Sequence, residues 1–161
     1  MKKFYGKYRG TVASNIDETG RGRIQVKVPL VLGEGTQSWA MPCVPYAGPG
    51  VGFFAIPPRE ANVWVEFEGG DPGKPIWSGC FWGLLGAPAP APFLAETKVI
   101  KTDTATITLN DLPGAGGISI EMNNGMKITM TATGLEITNG QASIQLQATN
   151  VNINNGALEV T

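Results

Sequence analysis

Apolar and polar residues alternate through the second half of the chain, from residue 98 to residue 161. Period-two alternation is typical of strands that present one apolar face and one polar face. The apolar residues of this pattern are Ile107, Leu109, Ile118, Ile120, Met122, Ile128, Met130, Leu135, Ile137, Ile144, Leu146, Val151 and Ile153. Asn-Gly pairs at 124–125, 139–140 and 155–156 predict tight turns at a nearly constant interval. The pattern therefore predicts a stack of short strands stepping along one axis.

The first half of the chain alternates as well, but it carries aromatic residues and more glycine and proline turns. The predicted strands are 8–14, 23–28, 39–44, 52–56, 62–68 and 75–82. Five or six short strands in about 75 residues predict a small closed barrel of the OB type, because closure leaves no exposed strand edge. Cys43 and Cys80 fall in these strands, and we interpret them as buried reduced thiols, with a disulfide left open.

The change between the halves coincides with a segment rich in proline and alanine. All thirteen aromatic residues lie between Phe4 and Phe93, and none follows. Proline-rich segments are stiff and extended, which is typical of a connector between domains. We therefore predict an OB barrel at 1–83, a connector at 84–97 and a β-helical spike at 98–161.

The predicted second domain has an apolar face that a single chain cannot cover. One narrow meander leaves that face in water and its edge strands unpaired. Copies of the same chain around a common axis would cover both, and a thin axial core would explain the absence of aromatic residues. The pattern predicts an oligomer, although it does not fix the number of chains at three.

Composition argues against most enzymatic chemistry. The chain of 161 residues has no histidine, which excludes Ser-His-Asp and Cys-His arrangements and imidazole-bound zinc. Glycosidases need two carboxylates at a defined separation, and the available candidates are Asp17, Glu18, Glu66, Glu68 and Asp71. We interpret these carboxylates as solvent-exposed surface groups. We expect no catalytic residue, no metal and no cofactor, and thus not an enzyme.

The basic residues near the start of the chain leave a second interpretation open. Tyr5 and Tyr8 lie among a group of early basic residues, and OB barrels often bind single-stranded nucleic acid through such combinations. The basic residues are Lys2, Lys3, Lys7, Arg9, Arg21, Arg23 and Lys27. The alternative hypothesis is an OB nucleic-acid-binding module with an oligomerising β tail. However, the net charge is −1 and the isoelectric point is near 5.4, which provides no general attraction for phosphate. We favour a basic surface for docking to a protein partner and expect no nucleic acid.

Several segments together resemble the baseplate assembly protein V group of phages. The segments that resemble the OB domain of this group are 8–15, 20–29, 39–50, 53–57, 63–72 and 75–83. The β-helix that follows in this group is resembled by segments 98–104, 107–110 and 118–120. This group is related to the central spikes of contractile phages and to the valine-glycine-repeat proteins of type VI secretion.

The resemblance implies an all-β homotrimer whose C-terminal strands intertwine as a triple-stranded β-helix. It implies a structural central spike that docks on a baseplate hub and pierces the target envelope during transient contact, in a phage tail, a bacteriocin or a related system. The residues expected to contact the hub are Lys7, Arg9, Arg21 and Arg23. The residues expected to contact a PAAR-type tip protein are Leu158, Glu159, Val160 and Thr161.

Departures from the relatives carry expectations of their own. The short connector leaves no room for the lysozyme domain that some relatives carry, and the lack of histidine rules out a His-X-His iron site at the tip. The chain starts at the barrel, so the hub is expected to be a separate protein. No apolar segment follows the basic N-terminus, so we expect assembly in the cytoplasm without a signal peptide, as part of a tail particle.

Overall fold

The computed structural model describes residues 2–84, 86–88 and 92–160. It divides into two compact units, 1–86 and 87–161. The predicted connector at 84–97 includes residues 85 and 89–91, which lie outside the described residues, as does Thr161. No helix in the described ranges is long and apolar enough to cross a bilayer.

The first unit is a closed five-stranded barrel with two short additions. Its elements are β1 (Tyr8–Ser14), β2 (Ile24–Lys27), α1 (Pro29–Leu32), β3 (Ser38–Pro42), β4 (Ala47–Gly48), β5 (Val51–Gly52), β6 (Asn62–Phe67) and β7 (Pro75–Cys80). The barrel closes in the order β1-β2-β3-β7-β6, and β4 pairs with β5 as a separate hairpin. All barrel pairs are antiparallel except β3 with β7. The predictions of an all-β chain and an OB-like barrel are confirmed.

The barrel has its own core, because alternate residues of each strand point inward. The buried cluster comprises Val12, Ile24, Val26, Val28, Ala40, Val63, Val65, Phe67 and Trp77. Trp77 donates a hydrogen bond from its indole Nε1 to the carbonyl oxygen of Gly22, at 3.1 Å. This bond satisfies the one polar atom of a buried aromatic side chain.

Several local predictions for the barrel are wrong. No barrel strand forms at the predicted position 52–56: strand structure there is limited to Val51–Gly52, which pairs with Ala47–Gly48 as a hairpin outside the barrel. Glu68 begins a 3-10 turn rather than extending β6. The predicted burial of Cys43 and Cys80 is also wrong, since both thiols are free and exposed.

The second unit is one antiparallel sheet of eight strands. Its strands are β8 (Thr97–Lys101), β9 (Ala105–Asn110), β10 (Gly117–Met122), β11 (Lys127–Thr131), β12 (Gly134–Thr138), β13 (Ser143–Leu146), β14 (Val151–Ile153) and β15 (Leu158–Val160). The spatial order follows the chain order, so each strand pairs only with its sequence neighbours. The three predicted Asn-Gly turns lie at their expected places, and Gly125, Gly140 and Gly156 adopt positive φ there.

Gly134 marks a close approach of two strands in this sheet. It pairs with Thr131 at the start of β12. A Cβ atom added to Gly134 would collide with the carbonyl oxygen of Leu146. The position therefore requires glycine, because the obstacle is backbone rather than a movable side chain.

Candidate functional site

Two continuous rows of side chains run across all eight strands of the second unit, on one face of the sheet. Directly paired residues of an antiparallel sheet share a face, as do residues two apart on a strand. The first row is Ile100, Ile107, Ile120, Ile128, Ile137, Ile144, Ile153 and Leu158. The second row is Lys98, Leu109, Ile118, Met130, Leu135, Leu146, Val151 and Val160. We call these two rows the aliphatic face.

The aliphatic face is open to solvent in the single chain. Among the described residues of the second unit, none is buried. Ile118 is 37% exposed and Ile100 is 60% exposed, and the other exposed aliphatic side chains of the two rows lie between these values. Contiguous apolar patches of this kind mark interaction surfaces in soluble proteins.

All the residues predicted from the sequence to form the oligomer core lie on this face. Met122 joins it through its pairing with Ala105 and through its position two residues after Ile120. Their contact with other copies of the chain stays a prediction. The sequence reading missed Ile100 and Lys98, because the adjacent Val99 and Ile100 obscure the alternation in β8.

The aliphatic face ends at β15, an edge strand of the described sheet. Leu158 and Val160 close the two rows and are 55% and 59% exposed. Asn152 and Glu159 are directly paired across the last two strands. Of the four predicted tip-contact residues, three therefore lie on the last strand, and Thr161 is outside the described residues.

The opposite face of the sheet is polar apart from Val99, which pairs with Thr108 at the β8 end. Its central row is Thr108, Ser119, Thr129, Glu136, Gln145 and Asn152. Gln145 donates a hydrogen bond from Nε2 to Glu136 Oε1 at 2.9 Å. Lys127 lies 3.8 Å from Glu121 on the neighbouring strand of this face. The two faces thus differ sharply, which gives the sheet one side suited to water and one side suited to burial.

The predicted hub-contact residues fall into two groups on the barrel. In the first group, Lys7 bonds to Ser78 Oγ at 2.8 Å and lies 3.2 Å from Glu66. Arg9 lies over the rings of Trp64 and Phe81, at 5.7 and 5.4 Å from their centroids. The two aromatic rings hold the guanidinium at the surface of the barrel through cation–π attraction.

The second group belongs to the turn between β1 and β2, which Asp17 organises. The Asp17 carboxylate accepts bonds from the backbone N–H groups of Thr19, Arg21 and Arg23, and from the Arg23 guanidinium at 2.7 Å. The Arg23 guanidinium holds the pKa of the Asp17 carboxyl well below its usual range. Arg23 also lies over the Trp39 ring at 4.9 Å. Arg23 is thus tied into the fold, whereas Arg21 is exposed.

The carboxylates considered for catalysis are scattered over the barrel. Asp17 is the acceptor of the turn just described, Glu66 faces Lys7, and Asp71 accepts the N–H of Gly73 at 2.9 Å. The described part of the chain contains no group of three or more His, Cys, Asp or Glu residues placed to hold a metal ion. These contacts give each of the three carboxylates a local structural partner.

A second apolar surface, which the sequence reading missed, surrounds the β4–β5 hairpin. Tyr46, Val51, Phe53 and Phe54 are exposed there, and Phe54 is 72% exposed. Gly22 lies against the segment that follows the hairpin, because an added Cβ there would contact Ile56 and Phe54. The signal in the sequence was the adjacent pair Phe53 and Phe54, which was assigned to the predicted barrel strand 52–56 instead.

Two family models match the chain, one for each unit. Residues 8–82 match the model described as the type VI secretion system/phage-baseplate injector OB domain. Residues 97–159 match the model described as the phage baseplate V C-terminal trimerisation domain. No curated protein matches the chain. The first match covers the barrel, and the second covers nearly all of the sheet that carries the aliphatic face.

Proposed function

The chain belongs to the phage baseplate V family, and we propose that it is the central spike of a contractile injection particle. The family assigns it a structural place in a phage tail or type VI injector, and its trimerisation domain supports a homotrimer. The observation that carries the proposal is the aliphatic face. Two rows of exposed side chains span the whole sheet and end only with the sheet itself.

Three copies that turn this face toward a common axis would remove it from water. Aliphatic side chains without aromatic residues fit such a narrow core, because three aliphatic faces must meet around one axis. Strand spacing of about 4.8 Å gives a sheet of eight strands a length of about 34 Å. We propose that the three sheets form a β-helical needle of this length, with the polar rows on its outside.

The needle would act mechanically rather than chemically. Each inner strand of the sheet is hydrogen-bonded to both of its sequence neighbours. Adjacent strands follow one another along the direction in which the spike would be driven, so backbone hydrogen bonds link successive levels of the needle. We propose that sheath contraction pushes this structure through the target envelope.

The two ends of the chain would dock to other particle proteins. Arg21, Lys7 and Arg9 offer cationic groups at the barrel surface for a hub protein with exposed carboxylates. Leu158 and Val160 end the two rows with exposed aliphatic side chains, which suits a cap of the PAAR type with an apolar base.

The proposal is tested by the number of chains in solution. We expect light scattering after gel filtration to give a trimer for the native chain. Ile120→Asp or Ile137→Asp should give a monomer, because three carboxylates would be buried together. The control is Ser119→Asp. Ser119 is adjacent to Ile120 in β10 but lies on the polar face, so this variant should remain trimeric. A monomeric native chain at micromolar concentration would refute the proposal.

One observation keeps the nucleic-acid alternative in view. Arg9 lies over Trp64 and Phe81, and such combinations of cation and aromatic ring bind single strands in other OB barrels. A gel shift with single-stranded DNA at two salt concentrations distinguishes the functions. Binding that weakens steeply with salt would favour the alternative, whereas we expect no shift at either concentration.

A further inference from the structure

The aliphatic face carries a charge at one end. Lys98 takes the first place in the second row, directly opposite Leu109 and two residues before Ile100. Every later place in both rows holds Ile, Leu, Met or Val. The Lys98 ammonium bonds to the carboxylate of Asp111 and to the backbone carbonyl of Glu96, the latter at 3.3 Å. An exposed ion pair therefore stands at the end of an otherwise apolar surface in the single chain.

A uniform aliphatic face specifies the alignment of three chains poorly. Moving one copy by two strands along the axis restores the strand direction and again places aliphatic side chains beside aliphatic side chains. A seam of equivalent apolar contacts opposes such a shift only weakly, which is why the register of coiled coils is often fixed by a polar residue in the seam. The displaced copy would lose contacts only at its ends. The rows themselves therefore do not select one alignment.

We propose that Lys98, with its partner Asp111, selects the in-register alignment of the homotrimer. This inference rests on the proposed trimeric spike and concerns the specificity of its assembly. In the aligned trimer the three Lys98 residues stand at the same level, at the end of the core, each neutralised by its own Asp111. A single polar residue in an apolar seam fixes register in coiled coils in the same manner.

A displaced copy would be destabilised at Lys98. Its Lys98 would stand at the level of Ile118 of a neighbouring chain, because β8 would face β10. The ammonium would then lose water to the aliphatic side chains around it, and burying a charge among apolar groups is strongly unfavourable. The aligned trimer avoids this contact, so only one register remains favourable.

The test measures distances between the same site in the three chains. A nitroxide label is attached through Gln141→Cys in the full chain with Cys43→Ser and Cys80→Ser, since Gln141 lies in an exposed turn. We expect double electron–electron resonance to give one narrow distribution of distances between the labels of this trimer. Lys98→Met should add a second population, in which one label is displaced by roughly 10 Å along the axis, the height of two strands.

The matched control is Lys127→Met, which removes a lysine of the same sheet from the polar face. It should keep the single distance. If Lys98→Met does not accumulate as folded protein, Lys98→Leu takes its place. A second distance population in that variant supports the inference, and a single unchanged distance contradicts it. A single unchanged distance in the Lys98 variant overturns the inference while leaving the spike intact. A native chain that is monomeric under these conditions instead refutes the spike.

Discussion

The contribution of the aliphatic face to assembly can be estimated from one side chain. Ile137 lies in the middle of the first row, between Ile128 and Ile144, and is 40% exposed in the single chain. Full burial of an isoleucine stabilises by about 1.5–3 kcal/mol, so covering the remaining exposed part gives about 0.6–1.2 kcal/mol per chain. Ile137→Ala acts in three chains and should therefore weaken a trimer by about 2–4 kcal/mol.

This loss corresponds to a change of roughly 20- to 500-fold in the trimer dissociation constant. Because dissociation into three monomers depends on the square of the concentration, its midpoint should move upward by roughly 5- to 20-fold. Sedimentation velocity over a dilution series measures that midpoint. Thr129→Ala, a truncation on the polar face, is the control and should leave it in place. A midpoint that moves less than about twofold in Ile137→Ala would show that this face is not the trimer interface.

Three further predictions concern the barrel, the sheet and the thiols. Because the Asp17 carboxyl has a depressed pKa in the folded barrel, it stabilises the barrel above the ordinary carboxyl pKa, and this stability is lost progressively as the pH falls from about 4 toward the folded pKa, well below the usual range. Asp17→Asn should therefore lower the melting temperature more at pH 7 than at about pH 2, as followed by tryptophan fluorescence, and equal losses at the two pH values would refute the assignment. Gly134→Ala should lower the melting temperature of the trimer, because the added Cβ would meet the carbonyl oxygen of Leu146. Ala132→Ser in the adjacent turn is the control and should leave the melting temperature unchanged. An unchanged melting temperature in Gly134→Ala would contradict the close approach of the two strands. Cys43 and Cys80 should both react with a thiol reagent in the folded chain, and a reagent titration that finds fewer than two reactive thiols per chain would contradict their exposure.

The strands of the second unit could be predicted because their determinants are local. Alternation and Asn-Gly turns fix both the face and the reversal of the chain, so the alternating aliphatic residues from Ile107 to Ile153 could be assigned to one face from the sequence alone. β8 shows the limit of this reasoning. Val99 and Ile100 are adjacent apolar residues on opposite faces, and only the pairing of Lys98 with Leu109 shows which of them continues the row.

The barrel was predictable in outline but less so in detail. Its strand count followed from short apolar segments between turns, whereas the hairpin at β4 and β5 depends on how Tyr46 and Phe53 meet across the chain. The exposure of Cys43 and Cys80 depends on where two strands end, because Cys43 follows Pro42, the last residue of β3, and Cys80 is the last residue of β7. Arg23 was predicted as a docking residue from its charge alone, and its bond to Asp17 is a contact across six residues that no periodicity reveals.

Because every strand of the second unit pairs only with its neighbours along the chain, the sheet is modular in length. Removing one complete hairpin would join two strands that present the same two aliphatic rows, and the sheet would become about 10 Å shorter without a change of design. Insertion of a hairpin would lengthen it by the same step. Duplication or deletion of segments of about 16 residues could thus change the length of the sheet in fixed steps, while the strands of the barrel stay unchanged.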